Sequence, residues 1–427
     1  MKEVALKARS LVEEHHKWFS QSLVMIASEN LISPLAREML ISDLCDRYAE
    51  GLPGKRYYQG LTYIDQIESS CIDLAKQLFA APYADVRPTS ATVANIAILM
   101  ALTQPGDIIT AHSVSEGGHI SSARFGSVGV RGVNPVTYPF IAKDMNIDVD
   151  AAIKVIRSAK PKLCLFGMSV FLFPLPLKEL NNVVKEVGAY SWYDGAHVMG
   201  LIAGGQFQDP LREGIEVLSG STHKTLPGPQ HGIVLANPRD EKMAKKLSSG
   251  VFPGVVSNHH LHSVAALVVT LAEHIEFGKA YASQVVKNAQ ALGQAMYERG
   301  LEVLCPHLGF TKSHMIAFDV SKLGGGRKVV EDMEKANIIA NKNLLPWDPN
   351  TKSMDPSGIR LGVQELTRIG MREKEMVEVA ELLKRLIIGK EPVEKIRDGV
   401  IDLRKDFNQI HYCFSEGAEA YRHYKIV

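Results

Sequence analysis

Short apolar runs and helical stretches alternate through the middle of the chain. DIITAH (107–112), KLCLFGM (162–168), YSWYD (190–194), VLSGS (217–221) and HGIVLAN (231–237) read as strands. Between them Val149, Ile153 and Ile156, and then Leu180, Val183, Val184 and Val187, recur at the spacing of one helix face. Strands alternating with helices imply βαβ units and a mainly parallel sheet, whose ligands bind beyond the carboxyl ends of the strands. The residues just after each run are therefore the candidates for chemistry.

The flanks have a different rhythm. Ser33 and Pro34 suit an N-cap and a first helical position; Ile41, Cys45 and Tyr48 follow at i, i+4 and i+7, predicting a helix that ends near Glu50. GLPGKRYYQG (51–60) is too rich in Gly and Pro for regular structure, yet carries Arg56, Tyr57 and Tyr58, as a site loop would. After a long helical pattern around 262–300 come a strand, HMIAFDV (314–320), a glycine triplet, a helix and a second strand, IRLGV (359–363). Met376, Val379, Leu383 and Leu386 then mark another amphipathic helix. The expected division is an arm (1–50), a large α/β domain (51–265) and a smaller C-terminal α+β domain (266–427).

Composition narrows the classes. The 427 residues carry 48 Lys+Arg against 47 Asp+Glu, a net charge of +1, and 46% are apolar. A nucleic-acid binder needs a phosphate-facing positive excess and a disordered chain needs low hydrophobicity, so neither fits. No run approaches a membrane span, and the helical start lacks the apolar core of a signal peptide. Five cysteines without a C-x-x-C pair suggest neither a disulfide framework nor a zinc knuckle, and a cytoplasmic location is expected.

Three features carry chemistry, two of them at the ends of predicted strands. Lys224, in STHKT (221–225), follows an apolar strand, where partial desolvation would lower its pKa and free a nucleophilic amine. Asp194 ends WYD, where a carboxylate can hold a pyridine nitrogen protonated, as pyridoxal phosphate requires. PTSATVANIAILMA (88–101) puts Ser90 and Thr92 at the start of a helix whose free N–H groups suit a phosphate, with Val93, Ile96, Ala97 and Met100 as its apolar side. Taken singly these residues are an ordinary turn lysine, an N-cap and a capped helix. Asp194 and Lys224 on successive strand ends form a recurring pair in pyridoxal-phosphate enzymes of the aspartate-aminotransferase-like fold, and the phosphate-suited helix start joins them.

MIASEN (25–30), YAEGLPGKRYYQG (48–60), EGGH (116–119), DGAH (194–197), STHKTLPGP (221–229), NKN (341–343) and SGIRLG (357–362) occur in this order. From about residue 10 to 390 the chain resembles the serine hydroxymethyltransferases, which move the hydroxymethyl carbon of serine to a reduced pterin and leave glycine. The resemblance implies pyridoxal-phosphate fold type I, with the cofactor held covalently by Lys224, Asp194 on the ring nitrogen and His119 stacked on the ring. It implies that Ser90, Thr92, Ser169, His197 and His223 also contact the cofactor, and that Arg360 grips the substrate carboxylate, a task suited to its planar fork of donors. Glu50 matches the acid near the substrate hydroxyl, Tyr48 and Tyr58 the tyrosines of the same loop, Ser28 the serine beside the substrate, and Asn343 a substrate-side amide. These N-terminal groups would serve the neighbouring subunit's site, which implies a homodimer with shared active sites.

Some positions depart from the common pattern. Ala91 stands where glycine is usual, Gln230 replaces a frequent arginine, and Glu116 stands where histidine is frequent. VFPGVVSNHHLH (251–262) lacks the glycine-rich stretch that touches the partner's phosphate, leaving Ser257, Asn258 and His259 as substitutes. With WDPNTKSMD (347–355), these departures resemble the archaeal branch, so the carrier is of tetrahydrofolate or tetrahydromethanopterin type. Rival readings are a pterin-independent aldolase or transferase on other β-hydroxy amino acids (allo-threonine, α-methylserine), and a non-catalytic binding protein. His259, His260 and His262 do not make a metal site, since adjacent histidines point to different sides. Lys242, Lys245 and Lys246 read as a solvated face.

Overall fold

A computed structural model describes residues 1–425. Its main sheet contains β1 (Tyr83–Asp85), β2 (Ile108–Ala111), β3 (Asn134–Thr137), β4 (Leu163–Phe166), β5 (Tyr190–Asp194), β6 (Val217–Ser221) and β7 (Gly232–Ala236). The spatial order is β1-β7-β6-β5-β4-β2-β3, and only β7 runs against its neighbours. All four residues of β4 and all five of β6 and β7 are buried, because helices cover both faces of the sheet. The carboxyl ends of the parallel strands therefore open on one edge, where the loops bearing Ser90, Ser169, Asp194 and Lys224 emerge.

A second, antiparallel sheet has β8 (Glu302–Val303), β9 (Met315–Asp319), β10 (Asn341–Asn343) and β11 (Gly358–Gly362), in the order β8-β9-β11-β10. The helices that matter to the site are α1 (Lys2–Ser20), α2 (Pro34–Leu40), α3 (Thr62–Phe79), α4 (Ala91–Leu102), α5 (Leu261–Glu298), α6 (Gly325–Lys335) and α7 (Glu373–Ile387). The 38 residues of α5 make a rod about 57 Å long. It packs on α2 and α3 at one end and α7 at the other, and the expected 265/266 boundary falls inside it. The arm also reaches across the molecule: Leu23–Val24 pairs in parallel with Ile338–Ile339.

Two expectations need correcting. The helix predicted to run to Glu50 stops at Leu40; Ser33 does cap it, accepting from the Ala36 N–H, and Pro34 does begin it. Beyond Leu40 a 3₁₀ turn covers 43–46, and Ile41 (49% exposed), Cys45 and Tyr48 (42%) face outward. Residues 47–49 are extended because Asn258 takes their backbone groups: its Oδ1 accepts from Ala49 N–H and its Nδ2 donates to the Arg47 carbonyl. The second correction concerns α4, which buries Ala94, Asn95, Ala97, Ile98, Leu99 and Leu102. Of the predicted apolar side only Ala97 is buried. The helix is apolar nearly all round, so its neighbours, not its pattern, choose the covered face.

Candidate active site

Lys224 follows β6 and is 8% exposed. Its carbonyl accepts from Asn30 Nδ2 at 2.6 Å, and the next residue, Thr225, donates from Oγ1 to the His197 carbonyl at 2.8 Å, so the peptide is pinned on both sides. Burial pushes the amine down to about 8; Asp194 opposes that shift and Arg360 adds to it. At the end of β5, Asp194 accepts from Asn95 Nδ2 (2.7 Å) and from the Ala196 N–H (3.0 Å). Asn95 is itself fixed, because Ser219 Oγ donates to its Oδ1 and Trp192 Nε1 donates to Ser219 Oγ. This orients the carboxylate from beneath.

These groups line a cleft of about 180 Å³ with Ser90, Ala91, Thr92, His119, Met168, Ser169, His197 and His223. Ser90 caps α4, its Oγ accepting from the Val93 N–H, so the helix begins at the cleft wall. The Ser121 N–H donates to His119 Nδ1, which puts the proton of a neutral His119 ring on Nε2. Burial lowers the His119 pKa, against the pull of Asp194 and with the push of Lys224 and Arg360. His197 is driven well below its usual value by burial, and His223 to about 4 by burial and Lys224. Both rings are therefore neutral at pH 7.

A second cavity of about 320 Å³ adjoins the first, sharing His119, Ser169, His197 and Lys224 and adding Ser28, Asn343, Ser353 and Arg360. Arg360, on β11, is 7% exposed; it donates to the Ser169 carbonyl at 2.6 Å and to Asn341 Oδ1 at 3.2 Å. No carboxylate among the described residues pairs with it, and burial lowers its pKa to about 10. A buried cation without a counter-ion is costly unless an anion arrives. The second cavity thus presents an unneutralised cation to an entering anion.

The residues fit a phosphorylated pyridine. Among the described residues, Nδ1 of His197 and of His223 are buried without partners, a basic amine and a carboxylate are held in the same cleft, and a capped helix begins at its wall. Ser28 lines the same cavity as Lys224 of its own chain. Among the described residues, Tyr48, Glu50 and Tyr58 line neither cavity: Tyr48 and Tyr58 pack together at 5.0 Å on the surface and Glu50 is half-buried.

Ser257, Asn258 and His259 are engaged within the chain, on Tyr48, Ala49 with Arg47, and Glu68. Gln230 lines a neighbouring cavity that shares His223 with the first cleft and also contains Arg37 and Glu365. Asn95 escaped the sequence reading, although a lone amide inside the apolar run 91–102 was a visible signal. His314 was missed too; it stacks on His197 at 5.9 Å and donates from Nε2 to the Ala27 carbonyl at 3.0 Å. No helix among the described residues is long and apolar enough to cross a membrane.

A family model described as serine hydroxymethyltransferase matches residues 2–383. Among curated proteins the chain is 56% identical to a serine hydroxymethyltransferase of Picrophilus torridus over 99% of its own length and 97% of that protein. It is 52% identical to one of Thermoplasma volcanium over 99% of both chains. With one of Methanopyrus kandleri it shares 54% over 96% of its length and 95% of the relative.

Proposed function

The chain belongs to the serine hydroxymethyltransferase family, and from that premise we propose which of its residues perform the reaction and how two copies share it. It is a pyridoxal-phosphate-dependent glycine hydroxymethyltransferase of fold type I, transferring the hydroxymethyl carbon of L-serine to a reduced pterin to give glycine and the methylene-pterin. When bound, the cofactor supplies an electron sink for the pair left on Cα as the bond to the hydroxymethyl group breaks.

Lys224 holds the cofactor covalently, its lowered pKa making the neutral amine available. Asp194 keeps the ring nitrogen protonated, His119 lies against the ring, and Ser90, Thr92 and the start of α4 hold the phosphate. Ser169, His197 and His223 complete that pocket. Arg360 binds the serine carboxylate, with Ser28 and Asn343 beside it. Glu50 holds or accepts the proton of the serine hydroxyl, and Tyr48 and Tyr58 flank it; all three come from the loop of a second copy, making a homodimer with shared sites.

In the proposed division of labour, 1–50 is the arm, 51–265 carries the cofactor and 266–427 closes on the substrate. The carrier is a pterin of tetrahydrofolate or tetrahydromethanopterin type. Five unpaired thiols, four of them buried, suit a cytoplasmic location. The observation that carries the reading is Arg360, a buried guanidinium with no acid partner, in a cavity that shares Lys224 with the cofactor cleft.

The test is borohydride reduction of the cofactor-loaded protein followed by peptide mass spectrometry. The reduced cofactor is expected on the peptide containing Lys224. Its appearance on another lysine, or on none, overturns the assignment.

A further inference from the structure

Glu50 sits at the mouth of a two-strand hairpin whose backbone is held from four sides. Asn258 Oδ1 accepts from the Ala49 N–H at 2.9 Å. Arg56 Nη1 donates to the Ala49 carbonyl at 3.0 Å and to the Gly51 carbonyl at 2.8 Å, one on each side of Glu50. The Glu50 carbonyl itself accepts from the Tyr57 N–H at 3.2 Å. Gly51 is in the left-handed region (φ +100°), and a Cβ there would lie 2.5 Å from the Lys55 carbonyl oxygen, so the turn admits no side chain.

The guanidinium that makes these bonds is anchored in turn. Arg56 Nε donates to Asp65 at 2.8 Å and Nη2 to Glu68 Oε2 at 2.6 Å, both acids lying on α3. The same Glu68 oxygen pairs with His259 Nε2 at 2.9 Å. Glu68 and His259 are almost fully buried, whereas Asn258 is partly exposed. Ser257 Oγ accepts from the Tyr48 hydroxyl at 3.1 Å. The segment 257–259 and α3 therefore grip the acid-bearing loop from its two flanks.

We propose that Arg56, Glu68, Asn258 and His259 are positioning residues that fix the backbone of Glu50, and with it the acid that acts at the substrate hydroxymethyl group. The chemistry favours such a clamp. Glu50 is half-exposed, and a carboxylate that must meet one proton within hydrogen-bond reach gains from a fixed backbone; a misplacement near 1 Å costs roughly 100-fold in rate. A buried Arg with two acids and two carbonyls supplies that rigidity without entering the cavity.

The inference rests on the reading of Glu50, and the test separates the two. Glycine has no hydroxymethyl group, so solvent exchange of its α-proton by the holoenzyme requires the cofactor pocket but not Glu50. Serine turnover with a reduced pterin and glycine α-proton exchange are measured on the cofactor-loaded dimer for Asn258→Ala, His259→Ala, His259→Gln and Glu50→Gln. Asn258→Ala is expected to lower kcat for serine by roughly 10- to 100-fold, with serine KM and glycine exchange held within about twofold.

His259→Ala should behave alike, and His259→Gln should recover part of the loss, because an amide N–H can replace the ring donor to Glu68. A parallel fall in both reactions, or unchanged serine turnover in Asn258→Ala, overturns the clamp. If Glu50→Gln turns over serine normally, the assignment of Glu50 fails and the clamp with it. If only Glu50→Gln is impaired, the assignment stands and the clamp fails.

Discussion

Lys224 and Arg360 are two cations withdrawn from water within one pair of adjoining cavities, and burial moves both in the same direction. The consequences differ, because Arg360 stays charged throughout the physiological range while Lys224 does not. Below about 8 the Lys224 amine of cofactor-free protein is protonated and cannot attack; above it the amine is free. The rate of cofactor capture by stripped protein should rise about tenfold per pH unit until that midpoint and then level off, as stopped-flow absorbance would register. A midpoint near that of an ordinary lysine sinks the idea.

Lys224, Asp194 and Arg360 each have an ordinary reading alone; what singles them out in the sequence is their combination, two at successive strand ends and all three within the ordered motifs DGAH, STHKT and SGIRLG. Asn95 was not legible in this way. Its role depends on Asp194, 99 positions away, and the apolar residues around it make the segment read as a packing helix.

At the level of elements, α4 does two jobs with one residue, since Ser90 both caps the helix and faces the cleft. Substitution can separate them. Ser90→Ala should destabilise the cofactor-free protein by about 1 kcal/mol through loss of the cap, while Ser90→Gly costs only a few tenths. Both variants lack the hydroxyl and should bind pyridoxal phosphate more weakly. Thermal unfolding of stripped protein and a cofactor titration give the two readouts, and normal cofactor affinity in Ser90→Gly would remove Ser90 from the phosphate site.

The buried strands were readable because complete burial selects unbroken apolar runs. The two edges of the main sheet, β1 and β3, were not, since an edge needs little hydrophobicity and tolerates Pro135. The false extension of α2 has a related cause: Ile41, Cys45 and Tyr48 keep helical spacing, yet Ile41 and Cys45 stay exposed in one chain and Tyr48 meets only Tyr58 and Ser257 at the surface.

For the whole molecule, those outward-facing groups suit a second copy. If Lys224 and Glu50 of one site belong to different chains, mixing Lys224→Ala with Glu50→Gln creates heterodimers in which one site is intact and the other lacks both groups. Random pairing of the two inactive proteins should then restore about a quarter of wild-type activity. Activity that stays at the level of the separate variants after dissociation and remixing would place both residues in one chain.

The long helix α5 has an implication for how the molecule can be divided. A chain severed at 265/266 would part the first turn of that rod from the rest and leave Ala266, Leu267 and Leu271, all buried, without their continuous backing. The cut would also divide a single helix that packs on α2 and α3 as well as on α7 and the small-sheet strands β8 and β9. The two halves are therefore not interchangeable modules: one continuous helix packs on α2 and α3 before it in the chain and on β8, β9 and α7 after it, so recombination between relatives within that helix would separate surfaces that fit each other.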